Sequence, residues 1–341
     1  MATMKDVAEK AGVSMTTVSY VVNGSKNISD EVKERVHRVI RELNYKANKT
    51  AQNLARNNTR CIGLYGADLE TLKTHLFFNE LMSGILSVTT KSDYNLIIYP
   101  EQKNEDGEFC ITMDHGEPID GAIIINPRVT NDYLKRLIEK NIPFVLIGRP
   151  NEFQDQINYI DTDNVAVGYN ITKPLLSLNH SKILLLNGPE KLTLTSDILE
   201  GYKIALTEYN ANFSNDLLIN AEFTSQAGFE AVKQKIADNL KFSAIIACSD
   251  TQAIGAVNAL NTYGFKVPKD ISLVCCSDTY LTASYNPQIT AVNIKGVEIG
   301  AQAAAHLIDI LEKRLIKPSH RIVSFDIHQR ETTAYVRLNN G

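Results

Sequence analysis

From Arg60 onward, short uninterrupted apolar runs alternate with longer stretches in which apolar residues recur at helical spacing. The runs are Cys61–Tyr65, Leu96–Tyr99, Ala122–Ile125, Phe144–Ile147, Ile183–Leu186, Ala244–Ala247 and Ile271–Val274. A strand with one wet face alternates apolar and polar residues, so runs without alternation point to strands covered on both faces, as in parallel sheets. Between them lie helical patterns, among them Asn131–Lys140, Asp197–Tyr209, Gln226–Ala237 and Asp250–Tyr263. Strand and helix in alternation predict a doubly wound α/β core.

The pattern before Arg60 is different. Thr3 followed by Asp6 has the form of a capping box opening a helix that closes near Ala11. Gly12-Val13 makes a turn, Ser14 caps a second helix ending at Asn23-Gly24, and Ser29 caps a third. In that third helix Val32, Val36, Val39, Ile40 and Leu43 share one face. Three short helices with a glycine turn between the first two form a helix-turn-helix arrangement. At roughly 100° per residue, Val18, Val21 and Val22 fall on the inward face of the second helix. Thr16, Ser19, Tyr20 and Asn23 fall on the opposite face, with Met15 at the edge of the first turn. Such hydroxyls either bond to bases and phosphates or merely solvate a helix, and Met15 either touches a thymine methyl or extends the apolar stripe. Residues 48–58 offer Ala51, Leu54 and Ala55 on one side of a helix too short to hold in water without a partner.

Charge sharpens the division. The net charge is −4, but residues 1–60 carry +5 and the remainder −9. A basic head on an acidic body is expected where only one end meets phosphate. The composition, 44% hydrophobic and 22% charged without Trp, is that of a globular protein. No apolar run approaches the roughly 18 residues of a membrane span. Lys5, Asp6 and Glu9 stand where a secretory signal needs an apolar stretch, so a cytoplasmic protein is expected. Five cysteines without CxxC spacing read as reduced thiols, with the neighbours Cys275 and Cys276 as core residues rather than a redox pair. Neither a metal nor a cofactor is expected.

The stretches Thr3–Ala8, Gly12–Ser19, Asn23-Gly24, Leu43-Asn44-Tyr45 and Asn48–Leu54, followed by Ile62-Gly63-Leu64, resemble the head of the lactose/galactose/purine repressor family of bacterial regulators. The resemblance implies that Met15, Thr16 and Tyr20 read an operator while Thr17 and Asn23 hold phosphates. It extends through Asn48 to Leu54, whose counterpart wedges into the minor groove from a hinge helix formed only on DNA. A wedge of this kind unstacks a base step at a cost offset by added contacts. The implied organisation is a DNA-binding domain at 1–47, a hinge at 48–59 and a ligand-binding core at 60–341. The core divides into an N-subdomain (about 60–161 and 292–322) and a C-subdomain (about 162–291 and 323–341), both like periplasmic sugar-binding proteins. The chain crosses between them near Ile160–Asn164, Pro287–Thr290 and Arg321–Phe325.

By the same resemblance, Phe77, Phe78 and Phe223 supply aromatic faces to the cleft, and Arg149, Asp163, Asp250 and Asp278 supply polar contacts to an effector, expected to be a sugar. Read from the residues alone, the aromatics are equally core packing, and the charged groups helix caps or ion pairs. Two departures stand out: Ile198 occupies the family's arginine position three residues before Gly201, and Ser277-Asp278 replaces a pair of acids. Lys191–Asp197 is most similar to the maltose-operon branch. The expected assembly is a homodimer on a pseudopalindromic duplex, since the chain stops at Gly341 without a tetramerising heptad tail. An alternative effector is a phosphorylated partner protein. A nucleotide-binding enzyme is disfavoured because Gly63-Leu64-Tyr65-Gly66 lacks the G-x-G-x-x-G spacing and no nucleophile-elbow motif occurs.

Overall fold

The computed structural model describes residues 2–22, 28–45, 58–67, 76–100, 102–103, 109–110, 119–125, 127–128, 132–315 and 317–336. Two compact units emerge, Met1–Arg60 and Cys61–Gly341. The expected sites Asn23, Asn48 and Leu54 lie outside the described residues.

The first unit contains α1 (Met4–Ala11), α2 (Met15–Val22) and α3 (Asp30–Glu42). The Thr3 hydroxyl accepts the Asp6 N–H while the Asp6 carboxylate accepts the Thr3 N–H, closing the box at the start of α1. Gly12 ends α1 at φ +65°, a left-handed conformation that favours glycine. Ser14 accepts the Thr17 N–H at 3.1 Å and caps α2. Ser29 stands at the N-cap of α3, but its side chain makes no capping bond there. The negative Asp30 and Glu31 in the first turn of α3 complement its dipole instead. Val7, Ala8, Ala11, Val18, Val21, Val36 and Val39 form a small buried core, and Lys10 reaches Glu42 at 3.0 Å.

In the second unit the elements run β1 (Cys61–Ala67), α4 (Leu76–Thr89), β2 (Asn95–Pro100), β3 (Gln102–Lys103), β4 (Phe109–Cys110), β5 (Gly121–Ile125), α5 (Asp132–Glu139), β6 (Phe144–Ile147) and β7 (Asn158–Thr162). They continue with α6 (Asn164–Ser177), β8 (Ile183–Asn187), α7 (Thr193–Glu208), β9 (Leu218–Asn220), α8 (Ser225–Ala237), β10 (Ala244–Ala247), α9 (Asp250–Thr262) and β11 (Ser272–Cys275). Last come α10 (Tyr280–Ser284), β12 (Thr290–Asn293), α11 (Gly296–Leu311), β13 (His320–Val323) and β14 (Asp326–His328). One six-stranded sheet has the order β13-β7-β6-β5-β1-β2, parallel throughout. The other has the order β14-β12-β11-β10-β8-β9, with only β14 antiparallel.

Most of the apolar runs are buried strands: every residue of β5, β6, β8, β10 and β11 is buried. Leu96–Tyr99, however, lies in β2 at the edge of its sheet, where no residue is buried, so that run is not doubly covered. Each sheet carries an apolar cluster on either face, as strands covered by helices on both sides require. Paired helices approach closely through glycines. A Cβ on Gly84 or Gly300 would collide with the facing backbone of α11 or α4, and Gly168 and Gly201 do the same for α6 and α7.

The chain passes between the sheets three times, at Asp163, at Ile294-Lys295 and at Ser324-Phe325. The second passage lies just beyond Pro287–Thr290, because Thr290 already begins β12 inside the second sheet. Lys295, at φ +54°, donates from Nζ to Ser324 Oγ at 3.0 Å and pairs with Asp326 at 3.2 Å. Two of the three passages are thereby tied together.

Candidate functional site

The head offers a surface. Burial of Val18 and Val21 turns the opposite side of α2 to solvent, leaving Met15 at 54% and Tyr20 at 51% exposure, with Thr16 also exposed. Thr17 is half-buried, its hydroxyl 2.9 Å from that of Ser14, so it joins the capping turn. No acidic residue stands in the first turn of α2, and the helix N-terminus is electropositive. Hydroxyl, phenol and thioether groups there suit hydrogen bonding to base edges and contact with thymine methyls.

The core offers a cleft between the carboxyl ends of two parallel sheets, where ligands of open α/β folds bind. The candidate residues there fall into distinct environments. Phe78 is buried in the apolar cluster of the first sheet, and Phe77 packs at its margin beside Gly296. Phe223 lies over Gly188, close to the Thr195 hydroxyl. Thr195 Oγ1 is itself buried and makes no hydrogen bond.

The carboxylates are more committed. Asp163 caps α6 by accepting the Ala166 N–H at 2.9 Å. Asp250 is buried at the start of α9 and accepts from the Thr251 N–H and the Thr279 hydroxyl, both at 2.7 Å. Asp278 takes both guanidinium nitrogens of Arg330 at 2.7 Å and also bonds His328 and Thr282. Burial acts to raise the Asp278 pKa, but these partners outweigh it and hold the carboxyl below its usual range.

Arg149 follows β6 and is half-exposed. Its N–H donates to Asp161 Oδ2 at 2.8 Å, while its Nη2 reaches Asp197 Oδ1 across the cleft at 2.7 Å. Asp161 is buried, and burial pushes its carboxyl up to about 7 despite bonds from the Thr162 and Arg149 N–H groups. Burial tends to lower the Arg149 pKa, but the charge of Asp197 and its hydrogen bond raise it overall. At the more buried Asp197, burial outweighs the pull of Arg149 and raises the carboxyl's pKa, so that carboxylate needs its partner to stay charged.

Ile198 is buried with Val167, Ile171 and Tyr202, and its carbonyl lies against Gly168. The position that the resemblance reserves for a cleft arginine is therefore a core position here. Ser277 is also buried, its carbonyl accepting from the Cys275 thiol. Cys275 and Cys276 face opposite layers of the second sheet, one in each apolar cluster. Asp161, Thr195 and Asp197 were missed as cleft residues, and no local periodicity distinguishes them from cap or surface positions. Among the described residues no group of three side chains is arranged to hold a metal, and no helix is long and apolar enough to cross a membrane.

Residues 3–48 match the family described as bacterial regulatory proteins, lacI family, and residues 172–333 match a periplasmic binding protein-like domain. The chain is 31% identical over 318 residues to the ribose operon repressor of Haemophilus influenzae, covering 90% of this chain and 91% of that protein. It belongs to the LacI family. Another relative, catabolite control protein A of Priestia megaterium, is 29% identical over 333 residues, covering 97% of this chain and 99% of that one. A solved structure of the Lac repressor dimer bound to operator and the anti-inducer ONPF superposes with a TM-score of 0.83 at 23% identity, covering 98% of this chain and 99% of that one. This LacI-family chain thus combines the DNA-binding head and the two-sheet core of its family, and its relatives are transcriptional regulators.

Proposed function

We propose that this LacI-family regulator represses a carbohydrate-utilisation operon from the cytoplasm, with its operator affinity set by a small hydroxyl-bearing effector in the core cleft. The observation that carries the DNA half is the exposed face of α2, where Met15, Thr16 and Tyr20 stand clear of the head's core. In this reading those three residues contact base edges, Thr17 and Asn23 hold phosphates, and Asn48 and Leu54 belong to a hinge at 48–59. A homodimer sets two heads on a pseudopalindrome, and the Leu54 pair wedges its centre. The effector lies among Phe77, Phe223, Arg149 and Asp250. The similarity to the ribose operon repressor supports the carbohydrate class.

The test is selection of bound duplexes by the full-length protein, followed by footprinting and a thermal-shift screen of sugars repeated with the selected operator. A twofold-related footprint and a sugar that raises apparent stability are expected. A single asymmetric half-site bound by a monomer, or no sugar altering operator affinity, refutes the respective half. Leu54→Ala should weaken specific binding far more than non-specific binding; equal loss on both removes the wedge. A second reading, in which a phosphorylated partner protein replaces the sugar, draws support from the likeness to catabolite control protein A. A phosphoprotein, rather than a sugar, would then shift operator affinity in the same assay.

A further inference from the structure

A backbone bridge and an ion pair join the two sides of the cleft at one place. Arg128, after β5, forms an antiparallel bridge with Leu192, just before α7. Thr193 donates both its N–H and its hydroxyl to the Pro127 carbonyl at 3.2 Å. One turn further along α7, Asp197 receives the Arg149 guanidinium at 2.7 Å. Pro127 packs against Gly148, whose φ of +113° and lack of a Cβ let the chain turn there. Arg149, the next residue, is held by the bond from its N–H to Asp161. The clasp forms with the protein's own groups alone.

The charge arrangement is specific. The Asp197 side chain is 7% exposed and that of Arg149 37%, so the buried member depends on its partner more than the reverse. An arginine facing a ligand cleft is a ready fork for a carboxylate or phosphate. Here a carboxylate of the chain already holds it. An anionic group entering this subsite would have to displace Asp197 and leave it buried without a counter-charge, which is costly. An uncharged group meets no such penalty.

We propose that Asp197 is a specificity-determining residue: as the built-in counter-ion of Arg149 it latches the cleft at the Pro127–Thr193 clasp and reserves the subsite for uncharged effectors. The selectivity part rests on the reading of the cleft as the effector site, while the latch does not. The preceding Thr195 and the following Ile198 fit this assignment, since one is buried beside Phe223 and the other is spent in the core.

The test uses the full-length protein without DNA or sugar, so its failure is separate from failure of the proposed regulation. Hydrogen exchange of peptides spanning 189–195 follows the Thr193 N–H directly. Asp197→Ala should speed exchange there by about tenfold, because opening no longer breaks an ion pair. Asp197→Asn, which preserves shape, should shift it in the same direction and by less. Inorganic phosphate is the anion probe, compared with chloride at equal ionic strength. Phosphate should leave the wild type unchanged and restore protection in Asp197→Ala, and the Arg149→Ala/Asp197→Ala double variant should lose that response. Unchanged exchange at 189–195 in both single variants overturns the latch. A phosphate response equal in wild type and Asp197→Ala, or one that survives loss of Arg149, overturns the selectivity.

Discussion

The head and the core keep their polar side chains in opposite ways. On α2, Met15, Thr16 and Tyr20 are turned outward by a buried valine face, and their display costs the head little. In the cleft, the buried Asp250 and the Asp278 side chain are already taken up by a threonine hydroxyl and an arginine, while Asp163 caps α6 from an exposed position. A surface that meets a polyanion is prepared by exposure. A cleft that meets a small molecule must satisfy its buried charges before any ligand arrives, because an unpaired charge there is costly. Candidate residues in the two regions therefore answer to different tests.

The sharpest test of that contrast is Asp278→Ala. It leaves the Arg330 guanidinium, with a side chain 14% exposed, without its carboxylate. A loss of about 3–5 kcal/mol in denaturant unfolding of the core is expected. Weakened effector binding at unchanged stability would instead make Asp278 a ligand contact. Next in size, Thr16→Ala and Tyr20→Ala should each weaken specific operator binding by about 1–3 kcal/mol and relax base preference. Their melting temperatures should stay at the wild-type value, since neither side chain is buried. A fall in melting temperature with unaltered base preference would return them to the scaffold.

A pH titration separates the regions more finely. Asp161 has a folded-state pKa of about 7, above the ordinary carboxylate value, so between these two values the folded core binds the additional proton. Its contribution to stability is thus fully present below the ordinary carboxylate value and is lost as pH rises through about 7, with a slope of up to about 1.4 kcal/mol per pH unit in between. Urea unfolding of wild type and Asp161→Asn across that window measures it. The same slope in both proteins excludes Asp161 as its source. The smallest effect is expected from Asp163→Ala, about 1 kcal/mol from loss of the α6 cap, read as a lowered midpoint of core unfolding. No change in stability, with weaker effector binding, would move Asp163 from cap to contact.

Much of the architecture was legible along the chain. The seven apolar runs coincide with strands, and the helical patterns at Gln226–Ala237 and Asp250–Tyr263 end within a residue of α8 and α9. The helix read from Asp197 begins earlier, at Thr193, because its first turn is polar where it meets the cleft and shows no apolar stripe. The long helices α4, α6 and α11 are richer in apolar residues than α8 and α9, so an apolar run within them is harder to tell from a buried strand.

The sequence by itself determined the faces of the head helices, the doubly covered strands, the charge division between head and core, and membership in a recognisable family. Each is set by neighbours within a few residues, or by a motif of many positions, so periodicity and pattern suffice. Only the tertiary structure decided which cleft carboxylates are free to meet a ligand. Arg149 and Asp197 are 48 residues apart, and Asp278 and Arg330 are 52 apart. Such partners are chosen by strand order and by where the chain passes between sheets, and burial then makes the pairing compulsory.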